Sequence, residues 1–145
     1  MDMVWTEQSS AGNDAADSEH KILISLVNDV KRMIETRDSS ALSGAFEKLE
    51  TWLCTHYKNA ENKAQAANID FSNRKLEQQF ELNGLFFLRG KLAAKNGAWS
   101  AGEAKIDIQF LSDWLIEHIT YEDVLLQSIR PFIEAAKACC PEGVA

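Results

Sequence analysis

Three histidines and one aspartate are the residues of this chain whose types suggest metal chemistry. His118 and Asp123 lie in a single apolar, amphipathic run, where an unpaired polar group is costly to bury. His20 and His56 lie in two earlier amphipathic segments. Imidazole and carboxylate ligands together suit iron or zinc. These four residues therefore predict a metal site, provided that the segments bring them together.

The spacing of His118 and Asp123 leaves a second interpretation open. On a straight α-helix, five residues advance about 140° beyond a full turn, so the two side chains would face apart. One wide π-type turn would realign them, and such turns are frequent at functional sites. In the alternative, His118 is a hydrogen-bonded core histidine and Asp123 is a solvated surface acid.

Composition limits the classes of function. The chain has 145 residues, 46% of them hydrophobic and 26% charged, which is typical of one globular domain. Its net charge is −7 and it has no cluster of Lys and Arg, so we expect neither nucleic acid nor an anionic membrane as a partner. We expect no secretory signal at residues 1–16 and no membrane-spanning run.

The three cysteines indicate a reducing compartment. They are Cys54, Cys139 and Cys140, and an odd number with two adjacent thiols is not a disulfide framework. We therefore expect a cytoplasmic location. Cys139 and Cys140 are interpreted as inert, with soft-metal binding or oxidation as the alternative.

Apolar residues recur at steps of three and four in four segments, which predicts four amphipathic helices. Ser39 and Ser40 offer a cap for the second helix, and Asn96-Gly97 is a stop signal for the third. The predicted helices are A, about Asp17 to Thr36; B, from Ser39 or Ser40 to about Ala64; C, about Ser72 to Lys95; and D, from Ser100 or Gly102 to beyond Asp123.

Four such helices with short polar connections predict an all-α, antiparallel up-down four-helix bundle over residues 17–128. Residues 1–16 are interpreted as an extended N-terminal arm anchored by Trp5. Pro131 is expected to end or restart helix D, which leaves residues 129–145 as a tail with a short C-terminal helix. Because bundles build metal sites from facing helices, histidines in helices A, B and D can converge.

A set of aromatic residues is expected to pack in the core of the bundle. In the alternative, the same side chains line a pocket for some other small ligand. They are Trp52, Phe80, Phe86 and Phe87.

Spaced motifs occur in order over about residues 3 to 125. They are Trp5-Thr6, Gly12-Asn13, Asp17-Ser-Glu-His20-Lys, Leu23 and Asn28; then Leu49-x-x-Trp52-x-x-x-His56-Tyr57; then Trp114-Leu-x-x-His118-Ile-x-x-x-Asp123. Together they resemble the bacterial hemerythrins and hemerythrin-like proteins.

The resemblance implies a site for dioxygen at two non-haem iron ions, held by five histidines, a glutamate and an aspartate. By this resemblance, His20 and His56 would bind the iron that keeps an open position. His118 would bind the other iron, and Asp123 would bridge the two.

The chain departs from this ligand set in two places. Ala60 stands where the bridging glutamate is expected, and Glu61 is one position late. Helix C should supply a pair of histidines four residues apart, but no histidine lies between His56 and His118. Depending on loop length, the pair falls on Lys75 and Gln79, or on Gln79 and Asn83.

Two glutamates of helix C can replace the missing pair. Glu77 and Glu81 have the same four-residue spacing, and carboxylates serve iron well in ferritin-like bundles. The alternative is that both are surface acids.

We therefore expect a non-enzymatic metal-binding protein with an incomplete di-iron site, holding one iron or an altered pair. It would sense, store or bind iron or dioxygen, with reversible dioxygen carriage impaired. The alternative is a metal-free regulatory or interaction module that has a protein partner and no cofactor. No nucleophile–base pair or phosphate-binding loop indicates an enzyme.

Overall fold

The structure, a computed structural model, describes the backbone of residues 14–139 and the side chains of residues 17–121. Four α-helices account for almost all of the described backbone, which contains no strand. They are α1 (Asp14–Thr36), α2 (Ser39–Ala66), α3 (Ser72–Lys95) and α4 (Ala101–Cys139).

The four helices form a closed ring. Helix α1 packs against α2 and α4, and α3 packs against the same two helices. Each connection is at most five residues long, so consecutive helices run antiparallel. The predicted all-α, up-down four-helix bundle is confirmed.

Local sequence signals account for the ends of the helices. Asp38 is the N-cap of α2 and accepts a hydrogen bond from the backbone N–H of Ala41 at 3.0 Å. Asn96, with φ of 49°, ends α3 in the left-handed conformation that the sequence predicts at this stop. Ser100 and Glu103 form a reciprocal capping box at the start of α4, with distances of 3.1 and 3.2 Å.

The core lies between the inward faces of all four helices. It is aliphatic along most of the bundle, with Trp99 closing one end, where its Nε1 donates to the carbonyl oxygen of Ile34 at 2.9 Å. Fully buried members include Leu23, Val27, Val30, Ile34, Phe46, Leu49, Leu53, Leu85, Leu92, Leu111 and Leu115.

Three expectations about helix ends require correction. Helix α1 begins at Asp14 rather than Asp17, and the cap of α2 is Asp38 rather than a serine. Helix α4 continues through Pro131 to Cys139 without a π turn, so the apolar segment from Phe132 to Ala138 is part of α4 rather than a separate helix. A proline removes one backbone hydrogen bond and crowds one carbonyl, which weakens a helix without always interrupting it. Trp5 and Cys140 lie outside the described residues.

The expected burial of the α3 aromatics is wrong. Phe80, Phe86 and Phe87 are 76%, 47% and 75% exposed, whereas Trp52 of α2 packs partly buried against the core. The inward face of α3 follows a different set of positions, including Leu85 and Leu88, so these phenylalanines point away from the bundle. They line no internal pocket.

Within the described part of the chain, no helix has the length and apolar character needed to cross a membrane.

Candidate metal centre

The three histidines are buried side by side near one end of the bundle. His20 of α1, His56 of α2 and His118 of α4 are only 1%, 4% and 0% exposed. The ring centroid of His118 lies 5.4 Å from that of His56 and 6.5 Å from that of His20. The structure thus brings together the imidazoles that the sequence places on three separate helices.

Two tryptophans hold the imidazole planes. Trp52 stacks on His56 with centroids 4.8 Å apart, and Trp114 stacks on His118 at 5.8 Å. Both partners precede the histidine by four residues, so each pair lies on one face of its own helix. The stacking restricts rotation of the two rings and keeps them inside the bundle.

Glu81 of α3 makes polar contacts with several residues of the centre. Its Oε2 contacts Nδ1 of His118 at 2.9 Å and accepts a hydrogen bond from the hydroxyl of Tyr57. Its Oε1 accepts a hydrogen bond from Nη1 of Arg74 at 3.1 Å, and its backbone carbonyl accepts one from Nε1 of Trp114 at 3.0 Å. Glu81 therefore connects α2, α3 and α4 through a carboxylate that is only 8% exposed.

The pKa of Glu81 lies below its usual value of 4.5. Burial alone would raise this pKa, but the hydrogen bond and charge of His118, the charge of Arg74 and the hydrogen bond from Tyr57 together lower it. The carboxylate is therefore ionised inside the bundle at neutral pH.

A second carboxylate contacts His56. Oε2 of Glu19, in α1, lies 2.8 Å from Nδ1 of His56. Both His56 and His118 thus have a carboxylate at Nδ1. The hydrogen bond between Glu81 and His118 favours the tautomer that has its proton on Nδ1, which makes Nε2 the basic nitrogen of that ring. At His56, Glu19 makes a close charge contact at the same ring position. Metal-binding histidines are commonly oriented in this way.

The inward face of α3 near the histidines bears Arg74, Gln78 and Glu81. Arg74 and Gln78, only 6% and 4% exposed, have the four-residue spacing expected of the missing histidine pair. Both registers inferred from the sequence are wrong because their residues, Lys75 with Gln79 and Gln79 with Asn83, are exposed.

Ala60 and Glu61 of α2 provide no carboxylate to the buried centre. Ala60 is partly buried, and Glu61 contacts Lys75 at 3.5 Å on the surface. Glu77 is 42% exposed and pairs with Arg74 at 3.2 Å. Of the three glutamates named from the sequence, only Glu81 reaches a histidine.

Asp123 belongs to α4, but its side chain lies outside the described range. Among the side chains of residues 17–121, no group of three or more His, Cys, Asp or Glu residues is disposed to hold a metal ion. A metal ion shared by the three histidines would therefore have to draw the rings closer together than they are here.

Arg74, Gln78 and Glu19 are members of this centre that were not identified from the sequence. A signal for the first two was present in the spacing of the core leucines. Counting back from Leu92 through Leu88 and Leu85, in alternate steps of four and three, leads to 81, 78 and 74. The exposed phenylalanines obscured this pattern. No sequence signal indicated that Glu19 contacts His56.

The ligand set does not fit two metal ions. On α3, the guanidinium of Arg74 lies 3.1 Å from the carboxylate of Glu81, and its positive charge would repel a second cation bound beside that carboxylate. The set fits one ion better, because three imidazoles remain and two of them have a carboxylate at Nδ1.

Curated proteins similar to this chain have related names. A bacteriohemerythrin of Methylococcus capsulatus is 28% identical over 128 residues, covering 85% of this chain and 92% of that protein. A hemerythrin-like protein of Naegleria gruberi is 26% identical, covering 86% and 91% respectively. A bacteriohemerythrin of Pseudomonas aeruginosa is 25% identical, covering 83% and 76%. No family model matches the chain, and no solved structure matches it significantly.

Proposed function

Because this chain is a hemerythrin-like protein, we propose that it binds a single metal ion, iron in the first instance, at His20, His56 and His118. The observation that carries the proposal is the group of three adjacent buried imidazoles on three helices. Asp123 would join the same ion only through a local widening of α4, because on a straight helix it faces about 140° away from His118. Bound iron would supply redox chemistry and a position for a small ligand such as dioxygen.

The protein's own residues have separate roles in this proposal. Trp52 and Trp114 fix the ring planes, and the carboxylates at Nδ1 direct Nε2 toward metal binding. Arg74 supplies the positive charge that balances Glu81, a role that a second iron would otherwise have. We propose binding or sensing of iron rather than dioxygen carriage, and no enzymatic activity.

A second candidate function is a metal-free regulatory or interaction module. It is favoured by the Glu81 network, in which Tyr57, Arg74 and His118 already satisfy the carboxylate without a metal ion. In that case the centre is a structural element, and the histidines serve packing and hydrogen bonding.

Metal stoichiometry distinguishes the two candidates. The full chain is loaded anaerobically with excess ferrous iron, or with zinc as a redox-inert probe, and bound metal is measured by elemental analysis after desalting. We expect one ion per chain, and its loss in His20→Ala and His118→Ala. Glu61→Gln and Glu77→Gln should retain the ion because neither side chain contacts a histidine.

Three results would contradict the single-metal proposal. Metal no higher than trace in the wild type would favour the metal-free module, and two ions per chain would show that Arg74 does not exclude the second. Retention of the ion in His118→Ala would place it elsewhere.

The surface-exposed free thiol of Cys54 fits a reducing, cytoplasmic location, which we include in the proposal.

A further inference from the structure

The outward face of α3 is a continuous uncharged surface. Nine positions between Leu76 and Ala94 are exposed, and none of them carries a charged side chain. Two of them, Gln79 and Asn83, are amides hydrogen-bonded to each other at 2.9 Å. Across the whole chain, 26% of residues are charged, and the net charge is −7. We call these nine positions the α3 seam.

The α3 seam has the spacing of a helix-pairing surface. Every seam position is Leu76, Gln79 or Phe80, or lies seven or fourteen residues after one of them. A strict seven-residue repeat keeps one stripe of a helix facing a partner helix over its whole length. Charged residues such as Arg89 and Lys91 flank the stripe, and each is paired within the chain, with Glu50 and Asp107 respectively.

The exposed apolar area is close to what a stable interface needs. At about 200 Å² for a fully exposed large side chain, the four large apolar residues of the seam leave roughly 500 Å² of side-chain surface open per copy, and two exposed residues of α4 bring the total to roughly 700 Å². A standard interface buries about 800 Å² per partner, whereas the largest patch of a typical monomer is about 300–600 Å². The six are Leu76, Phe80, Phe86 and Phe87 of α3, with Ile106 and Phe110 of α4.

The α3 seam has large side chains at one end and small ones at the other. Leu76 and Phe80 lie in its first half, and Gly90 and Ala94 lie in its last turns. A Cβ placed at Gly90 would meet no atom within 4 Å, so packing within one chain does not require glycine there. A glycine inside a helix is destabilising relative to alanine. The small size of Gly90 leaves room for another helix to approach this point of α3 closely.

We propose that the α3 seam is a homodimer interface, in which the α3 helices of two copies pack antiparallel about a two-fold axis near Leu85. In this register Phe80 of one copy lies opposite Gly90 of its partner, and Leu76 lies opposite Ala94. Large residues then face small ones at both ends of the seam, which a parallel pairing would not achieve, and Phe87 lies opposite Asn83 nearer the axis. The interface is isologous and closes at two copies.

A second copy of the chain suits the seam better than other occupants. When two copies pair, the large residues of each copy pack against the small residues of the other at both ends of the seam. A different protein would need the same order of large and small residues to pack equally well. An anionic lipid surface has no Lys or Arg to attract it within the seam. Because each copy carries a net charge of −7, the dimer should strengthen as salt concentration rises.

Sedimentation equilibrium of the full chain over a range of concentrations tests the proposal. The wild type should approach twice the monomer mass of 16.2 kDa. Phe87→Glu introduces a charge into the seam and Gly90→Leu fills the space for the partner's Phe80, and each should raise the dissociation constant at least tenfold. Ile22→Glu, at a 47% exposed apolar position of α1, is the matched control and should leave dimerisation unchanged.

A compensating pair of substitutions tests the antiparallel register. Phe80→Ala combined with Gly90→Leu exchanges large and small, and should recover most of the affinity that Gly90→Leu alone loses. Circular dichroism checks the fold of each variant. A wild type that is monomeric at every concentration overturns the proposal, as does a dimer that Phe87→Glu leaves intact. A lack of compensation in the double variant overturns the antiparallel register.

Discussion

The buried carboxylate of Glu81 contacts three side chains of the candidate centre, those of Tyr57, Arg74 and His118. Three protein hydrogen bonds take the place of the water molecules that would solvate this carboxylate at the surface. Because Arg74 is itself buried, the arginine and the glutamate depend on each other. Removing the charge of one leaves the other inside the bundle with poor compensation.

Glu81→Gln should lower the free energy of unfolding by about 3 kcal/mol, because it leaves the guanidinium of Arg74 without its buried counter-charge. Urea denaturation followed by circular dichroism measures the change. Glu77→Gln is the matched control, since Glu77 contacts the same arginine but is 42% exposed, and it should cost below about 1 kcal/mol. Equal losses of stability in the two variants would show that Glu81 contributes no more to the fold than the exposed Glu77.

The lowered pKa of Glu81 predicts a loss of stability in acid. Its pKa in the folded state lies below the ordinary value of 4.5, so its stabilising contribution is complete above about pH 4.5. As pH falls from there through the folded-state pKa, this contribution disappears. Denaturation midpoints measured in the presence of a chelator should fall over this window in the wild type, and fall less in Glu81→Gln. Parallel pH profiles would assign the acid sensitivity to other groups.

The sequence identified His20, His56 and His118 because histidine is rare in this chain and each one lies in a separate helix. It did not identify Arg74 and Gln78, because a search for histidines or acids overlooks an arginine at a ligand position. The contact between Glu19 and His56 joins residues 37 positions apart. It depends on the relative placement of α1 and α2, which no local pattern specifies.

At the scale of the helices, caps and stops predicted the other boundaries to within about three residues because they are local chemistry, but Pro131 did not end α4 as expected. Helix α3 shows where such signals are insufficient. Its hydrophobic residues cover both the inward and the outward face, so periodicity alone does not tell which face is buried. The leucines face inward and the phenylalanines outward, a choice made by packing against α2 and α4.

The cap of α2 gives a prediction at this scale. Asp38→Ala should destabilise the protein by about 1 kcal/mol, because the N–H of Ala41 loses its acceptor. Thermal unfolding measures this as a lower melting temperature. Asp38→Asn retains a side-chain oxygen at the same place and should remain near the wild type. A large loss in Asp38→Asn would show that the negative charge, rather than the cap, is what matters.

At the scale of the whole molecule, the bundle retains a frame on which a second metal site could be rebuilt. Adding Ala60→Glu, Arg74→His and Gln78→His together should raise bound iron by one ion per chain, measured by elemental analysis after anaerobic loading. The reason is that these changes supply three ligands from α2 and α3 and remove the guanidinium charge.

The matched control uses the exposed register of α3. Ala60→Glu with Lys75→His and Gln79→His introduces the same residue types on the outer side of the helix, and should leave the iron content unchanged. Equal gains in both triple variants would mean that the burial of Arg74 and Gln78 does not define the site. Circular dichroism confirms that each variant remains helical.

Because Trp52 stacks on His56 and Trp114 stacks on His118, intrinsic tryptophan fluorescence should report on the candidate centre. Among the described residues, these two indoles each stack on an imidazole of the candidate centre. Protonation of either ring, or a paramagnetic ion beside it, should therefore quench part of the intrinsic emission. Occupancy of the interior can then be followed by fluorescence titration, with no label attached.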